Sequence, residues 1–220
     1  MREHRLVTAR RARYYTIGGP PDGAPAEAWV VLHGLGQLAA TFLGYFEEIA
    51  TPERLVVAPE ALNRYYVAPG SSGSTRDAQV GATWMTREDR EHEIADYVEW
   101  LDAVWRDAAA RADQVTVLGF SQGVATAARW VASGTSRIDR LIAWAGQLPP
   151  DVDPAAYRTL RHGVTIVAGT RDEYSAWIAE GNAADRLAAA GIAARVETFE
   201  GGHRMDRVTL RRIAGVPAGA

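Results

Sequence analysis

Val115-Thr116-Val117-Leu118-Gly119-Phe120-Ser121-Gln122-Gly123-Val124-Ala125-Thr126 decides how the chain is read. Val115–Leu118 is a short apolar and β-branched run, as in a strand buried on both faces. Val124–Val131 has helical character. Between them Gly119-Phe120-Ser121-Gln122-Gly123 is a G-x-S-x-G turn that joins strand to helix with no spare residue. A reversal this sharp forces a strained backbone on Ser121 and lifts its hydroxyl above the sheet. Gly119 and Gly123 stand where strand and helix touch, and side chains do not fit there.

The same alternation continues in both directions. Upstream, Ala28–Leu32 reads as a strand, Leu38–Ala50 as helix, and Leu55–Ala58 as a strand closed by Pro59. Thr86 with Asp89 has the spacing of a capping box. The helix behind it carries Ile94, Tyr97, Val98, Leu101, Val104, Trp105 and Ala108 on one face. Downstream come strand Leu141–Trp144, short helix Pro154–Leu160, strand Val164–Ala168, helix Ser175–Ala190 closed by Gly191, strand Ala194–Phe199 and helix Arg207–Ile213. Strands alternating with helices predict an α/β fold with a mostly parallel sheet and helices on both faces. One domain is expected over 1–220. His4–Arg10 and Arg13–Ile17 are expected to form an N-terminal antiparallel hairpin within 1–20. Asn63–Thr83 has no clear period and reads as a long loop. Residues 215–220 read as a frayed tail.

Composition narrows the chemistry. The 220 residues are 47% hydrophobic and 23% charged, with a net charge of −3, which disfavours a nucleic-acid partner. All 24 basic residues are Arg, so Schiff-base and P-loop lysines are excluded. The chain has no Cys, which excludes disulfides, zinc–thiolate sites and thiol nucleophiles. No His-x-x-x-His pair is present, and no metal is expected. Ala28–Phe46 lacks Asp, Glu and Arg, but Gly34, Gly36, Gly44, His33, Gln37 and Thr41 break it into strand and helix rather than a membrane span. With no apolar leader behind Met1–Arg5, a cytoplasmic location is expected.

Ligands of open parallel sheets sit at the carboxyl ends of the strands. Two turns there carry glycines. Gly34-Leu35-Gly36-Gln37-Leu38-Ala39 with Glu60 has the form of a dinucleotide fingerprint. Its strand comes after a hairpin and a loop instead of opening the sheet, and Pro59 breaks the chain before Glu60, so an oxidoreductase is the weaker reading. The Ser121 turn is the stronger one. A serine nucleophile needs a base, and the base needs an orienter. Turns of this kind order them Ser, acid, His along the chain. Asp172 follows Val164–Ala168 through Gly169-Thr170-Arg171, and His203 follows Ala194–Phe199 through Glu200-Gly201-Gly202. Glu173 neighbours Asp172 but is expected to be a solvated carboxylate beside Arg171. His4 and His33 precede the turn, His92 lies off the apolar face of its helix, and His162 falls at the amino edge of the sheet.

Leu32-His33-Gly34-Leu35-Gly36, Gly119-Phe120-Ser121-Gln122-Gly123, Gly169-Thr170-Arg171-Asp172 and Gly201-Gly202-His203 together resemble the phospholipase/carboxylesterase family of α/β-hydrolases, which includes acyl-protein thioesterases and small bacterial carboxylesterases. The resemblance spans roughly Trp29 to Ile213. It implies Ser121 as nucleophile, His203 as base, Asp172 as orienter, and the backbone N–H groups of Leu35 and Gln122 as oxyanion hole. It implies hydrolysis of carboxylic esters or thioesters without a cofactor, with a small-molecule substrate. Tyr65, Tyr66, Trp84, Met85, Trp144, Tyr174 and Met205 are candidates for lining the substrate pocket. A ligand-binding protein that does not turn over, and a serine peptidase, are the alternatives on the same fold.

Overall fold

The structure, a computed structural model, describes residues 1–68, 74–175 and 182–217. Strands β1 (Tyr14–Gly18), β2 (Glu27–Leu32), β3 (Arg54–Pro59), β6 (Gln114–Phe120), β7 (Arg140–Trp144), β8 (Val164–Gly169) and β9 (Ala194–Phe199) form one sheet in the order β1-β3-β2-β6-β7-β8-β9. All its neighbours are parallel except β1 with β3. Strands β4 (Asn63–Ala68) and β5 (Gln79–Thr83) make a separate antiparallel pair. The helices are α1 (Ala39–Leu43), α2 (Arg90–Val104), α3 (Gln122–Ser133), α4 (Asn182–Ala189) and α5 (Arg207–Ile213).

The continuous apolar runs of the strands have a physical explanation. Alternate residues of β2 enter two different cores: Ala28, Val30 and Leu32 pack toward α2 and α3, while Trp29 and Val31 pack with Phe42 of α1 and Leu210 of α5. A strand buried on both faces has no polar side, so it reads as unbroken hydrophobicity rather than alternation.

Several expectations change. The antiparallel N-terminal strand is present, but its partner is β3, with Thr16 opposite Val57. Residues 4–10 form no strand: Leu6 and Val7 are fully exposed, so nothing apolar draws them onto the sheet. Asn63–Thr83 holds β4 and β5 instead of being loop throughout, and 69–73 lie outside the described residues. Leu38–Ala50 is a short α1 followed by a 3-10 turn, Gly44–Phe46. The expected capping box fails. The helix begins at Arg90 behind Asp89, and Thr86 instead donates its N–H to Glu93 Oε2 (2.5 Å). Of the expected helix Ser175–Ala190, residues 176–181 lie outside the described residues, Ser175 ends a 3-10 turn, and α4 covers Asn182–Ala189. Gly215 and Val216 are not frayed, since their amides donate to Arg212 and Arg211 carbonyls; 218–220 lie outside the described residues.

One buried carboxylate ties α2 to the loop after α3. Asp102 accepts from Trp130 Nε1 (2.8 Å), Thr135 N (2.8 Å) and Oγ1 (2.7 Å), and Ser136 N (3.2 Å) and Oγ (2.6 Å). Burial opposes its charge, but the donors from Ser136, Trp130 and Thr135 outweigh burial and hold it below the usual carboxylate range. A group that ionises more readily folded than unfolded adds stability above the unfolded pKa, near 4, and loses it as pH falls through the folded value. Asp102→Ala strands the buried indole N–H and is expected to cost about 2–4 kcal/mol in urea unfolding at pH 7. The gap to the parent should narrow under acid. An equal gap at pH 7 and pH 3 would contradict this account.

Candidate active site

The carboxyl ends of β6, β8 and β9 bring three side chains together. Ser121 follows β6 directly, with φ 54° and ψ −117°, a left-handed backbone that non-glycine residues rarely adopt. Its N–H donates to the Trp144 carbonyl (2.9 Å), and its carbonyl accepts from Val124 N (3.0 Å). Close packing makes the two glycines obligatory. A Cβ on Gly119 would stand 2.2 Å from the Gly123 carbonyl oxygen, and one on Gly123 would stand 2.3 Å from that of Leu32.

Ser121 Oγ lies 3.0 Å from His203 Nε2, and His203 Nδ1 lies 3.0 Å from Asp172 Oδ2. The Asp172 side chain is fully buried, and its other oxygen accepts the Tyr174 N–H (3.0 Å). An acceptor-only carboxylate at Nδ1 assigns the imidazole tautomer: Nδ1–H donates to Asp172, and the Nε2 lone pair faces the serine hydroxyl. The ring is held between Phe120 (centroids 5.2 Å apart) and the edge of Tyr174 (5.1 Å). Glu173 is exposed, and Arg171 pairs with Glu200 (3.2 Å) rather than with Glu173.

Two backbone amides complete the edge. Gln122 opens α3, where the first N–H groups have no intrahelical partner. The Leu35 amide donates to no group among the described residues, whereas Gly34, Gly36 and Gln37 amides donate to Gln37 Oε1, the Ala82 carbonyl and the Gly34 carbonyl. The Gln122 side chain faces away from the cleft. Its Nε2 donates to the Met85 carbonyl (2.8 Å) and its Oε1 accepts the Trp84 N–H (3.1 Å).

A cleft of about 260 Å³ opens beside Ser121 and His203, walled by Leu35, Gln37, Tyr45, Phe120 and Met205. Arg204 reaches it as well. Of the expected pocket residues, Met205 is on the wall and Tyr174 flanks His203. Trp84 and Trp144 are not there. Both are fully buried, because each indole N–H holds a loop carbonyl in place: Trp84 that of His33 (2.8 Å), Trp144 that of Arg204 (3.0 Å). They support the loops carrying Leu35 and His203 from below. Met85 is engaged through its carbonyl and receives Arg129 Nη1 at its sulfur (3.3 Å). Tyr65 and Tyr66 are exposed on β4, where the Tyr65 hydroxyl comes near Gly36.

Phe120, Tyr45 and Gln37 escaped the sequence reading. Phe120 had a usable signal, since it adjoins the serine within the motif itself. Tyr45 had none, because an expected single helix over 38–50 hides the 3-10 turn that aims it.

The dinucleotide reading fails on geometry. Glu60 is fully buried and taken by Arg13 (2.8 Å) and Arg64 (2.6 Å), leaving no carboxylate for a ribose. His33 is also structural. Burial pushes its pKa down, its Nε2 accepts the Ala61 N–H (3.1 Å), and its Nδ1 lies 2.8 Å from the Gly34 carbonyl. His92 is exposed beside Asp89.

Among the described residues, no helix is long and apolar enough to cross a membrane. Among solved structures, a carboxylesterase from Mesorhizobium loti superposes with a TM-score of 0.68 at 18% identity, covering 97% of this chain and 99% of that one. Acyl-protein thioesterase 2 of Zea mays superposes with a TM-score of 0.66 at 16% identity, covering 93% and 97%. At such identities the likeness speaks for the fold. No curated protein matches the chain. The family model for phospholipase/carboxylesterase matches residues 19–215, nearly the whole chain. With its α/β-hydrolase sheet and helices in place around Ser121, this chain belongs to the phospholipase/carboxylesterase family of hydrolytic enzymes.

Proposed function

We propose that the protein is a serine hydrolase of carboxylic esters or thioesters with short to medium acyl chains, working through an acyl-enzyme. The observation that carries this reading is the Ser121–His203–Asp172 relay, two 3.0 Å contacts in line at the carboxyl edge of the sheet. Ser121 Oγ attacks the acyl carbon while His203 Nε2 takes its proton. Asp172 stabilises the imidazolium without taking a proton itself. The oxyanion forms between the N–H groups of Leu35 and Gln122, the second favoured by the α3 dipole. His203 returns the proton to the leaving alkoxide or thiolate. Water then repeats the cycle on the acyl-enzyme.

The size of the cleft supports the chain-length assignment. About 260 Å³ is below the range usual for drug-sized ligands. Across p-nitrophenyl esters from acetate to palmitate, kcat/KM is expected to peak at short to medium chains, with matched thioesters run alongside. Prior treatment with a fluorophosphonate should abolish turnover, because only an activated serine is phosphonylated quickly. A palmitate optimum would overturn the chain-length assignment. Turnover that survives the inhibitor, or no turnover of any ester or thioester, would overturn the serine mechanism.

A further inference from the structure

At the opposite, amino-terminal edge of the sheet, a cavity of about 520 Å³ opens where β6 to β9 begin, twice the volume of the Ser121 cleft. Gln114, Arg140, His162, Thr165, Ala194 and Arg195 line it. Strand register puts Arg140, Thr165 and Arg195 on one face. Ile142, two residues after Arg140, is opposite Thr165, and Thr165 is opposite Arg195.

Charge around this edge does not balance. Four guanidiniums, those of Arg54, Arg140, Arg195 and Arg212, share two carboxylates. Glu27 takes Arg54 (2.5 Å), and Glu197 takes both Arg195 and Arg212. Arg140 has no carboxylate partner among the described residues. Its hydrogen bonds go to Thr165 Oγ1 (3.0 Å) and the Ile213 carbonyl (3.3 Å), which use two of five N–H donors. Burial, together with the charge of Arg195, pushes its pKa down. The bond to the Ile213 carbonyl at the C-terminal end of α5, and the nearby charges of Glu27 and Glu197, offset the Arg140 charge in part, but none of them is a salt-bridge partner. Holding a desolvated cation without an anion is costly, and a guanidinium fork matches the oxygens of carboxylate and phosphate.

We propose that this cavity binds a small multivalent oxyanion, a phosphate or a di- or tricarboxylate, at a site separate from the Ser121 cleft. Arg140 supplies the desolvated charge, and Arg195 and His162 close on the anion from the rim. The cavity has room for more than a bare phosphate, so a phosphorylated or polycarboxylate metabolite fits the same donors.

The test is calorimetric titration of inorganic phosphate and, separately, citrate, with ionic strength held constant by sodium chloride. The proteins are the parent, Arg140→Gln, Arg195→Gln and Arg204→Gln. Saturable binding of one or both anions is expected, weakened at least tenfold by Arg140→Gln and by Arg195→Gln and retained in Arg204→Gln. Binding of phosphate alone assigns a phosphoryl ligand, and binding of citrate alone a carboxylate ligand. Arg195 is largely exposed, so Arg195→Gln carries the test even where Arg140→Gln does not fold. No saturable heat with either anion overturns the proposal. So does binding that Arg195→Gln leaves unchanged, or binding lost in Arg204→Gln, which would place the anion in the cleft.

Discussion

Ser121→Ala is expected to reduce ester hydrolysis by four to six orders of magnitude, about 10⁴–10⁶-fold, while leaving the fold in place. Only one hydroxyl is removed, and its one hydrogen bond among the described residues is to His203 Nε2 at 3.0 Å. The backbone bonds that fix the turn, Ser121 N to Trp144 and Val124 N to Ser121, do not involve the side chain. Unfolding free energy should therefore stay within about 1 kcal/mol of the parent. The loss should fall on kcat rather than KM, because the hydroxyl contributes only once the acyl carbon is under attack. A purified, folded variant that retains a tenth of parental activity would remove Ser121 from the mechanism.

The second large effect separates two adjacent carboxylates. Asp172→Asn replaces the Nδ1 acceptor with an amide that can donate, so the imidazole can settle in the wrong tautomer with its Nε2 proton facing Ser121. A loss of about 10⁴ in kcat is expected, by the logic of the serine-protease case. Glu173→Gln alters an exposed side chain at the start of a 3-10 turn and should cost less than tenfold, under about 1.4 kcal/mol. The comparison is direct, since both substitutions are isosteric and both remove one charge. If Glu173→Gln proved the more damaging of the two, the orienter would be Glu173, and the 3.0 Å contact to Asp172 would be incidental.

Much of this arrangement was legible in the sequence, for a physical reason. Parallel strands must be buried on both faces, so β2, β6, β7 and β8 stand out as apolar runs. Ligands of such sheets gather at strand ends, so Ser121 and Asp172 could be placed from the turns that close apolar runs, and His203 from the turn after the mixed strand β9. The features that stayed hidden depend on tertiary partners. Residues 4–10 have the composition of a strand but pair with none, and Leu6 and Val7 stay fully exposed. Trp84 and Trp144 look like pocket aromatics from their position near strand ends. Their indole N–H groups instead reach loop carbonyls 51 and 60 residues away in the chain, and no local pattern reports such a contact. The β4–β5 pair also escaped. Its first strand carries the run Tyr65-Tyr66-Val67, but it is exposed from Arg64 to Ala68 and lacks the alternation of a half-buried strand.

The order of the sheet also bears on how activity is gained during folding. Ser121, Asp172 and His203 come after β6, β8 and β9; β8 and β9 are direct neighbours, and β6 joins them through β7. Parallel neighbours cannot zip from a tight hairpin, so each pairing must close a long loop before it is rewarded. Ser121 and His203 meet across 82 residues, and three strand pairings must be in register before the two side chains can touch. On the proposed mechanism, a partly folded chain, or one missing its last strand, does not bring His203 to Ser121 and is silent toward esters however native its first half.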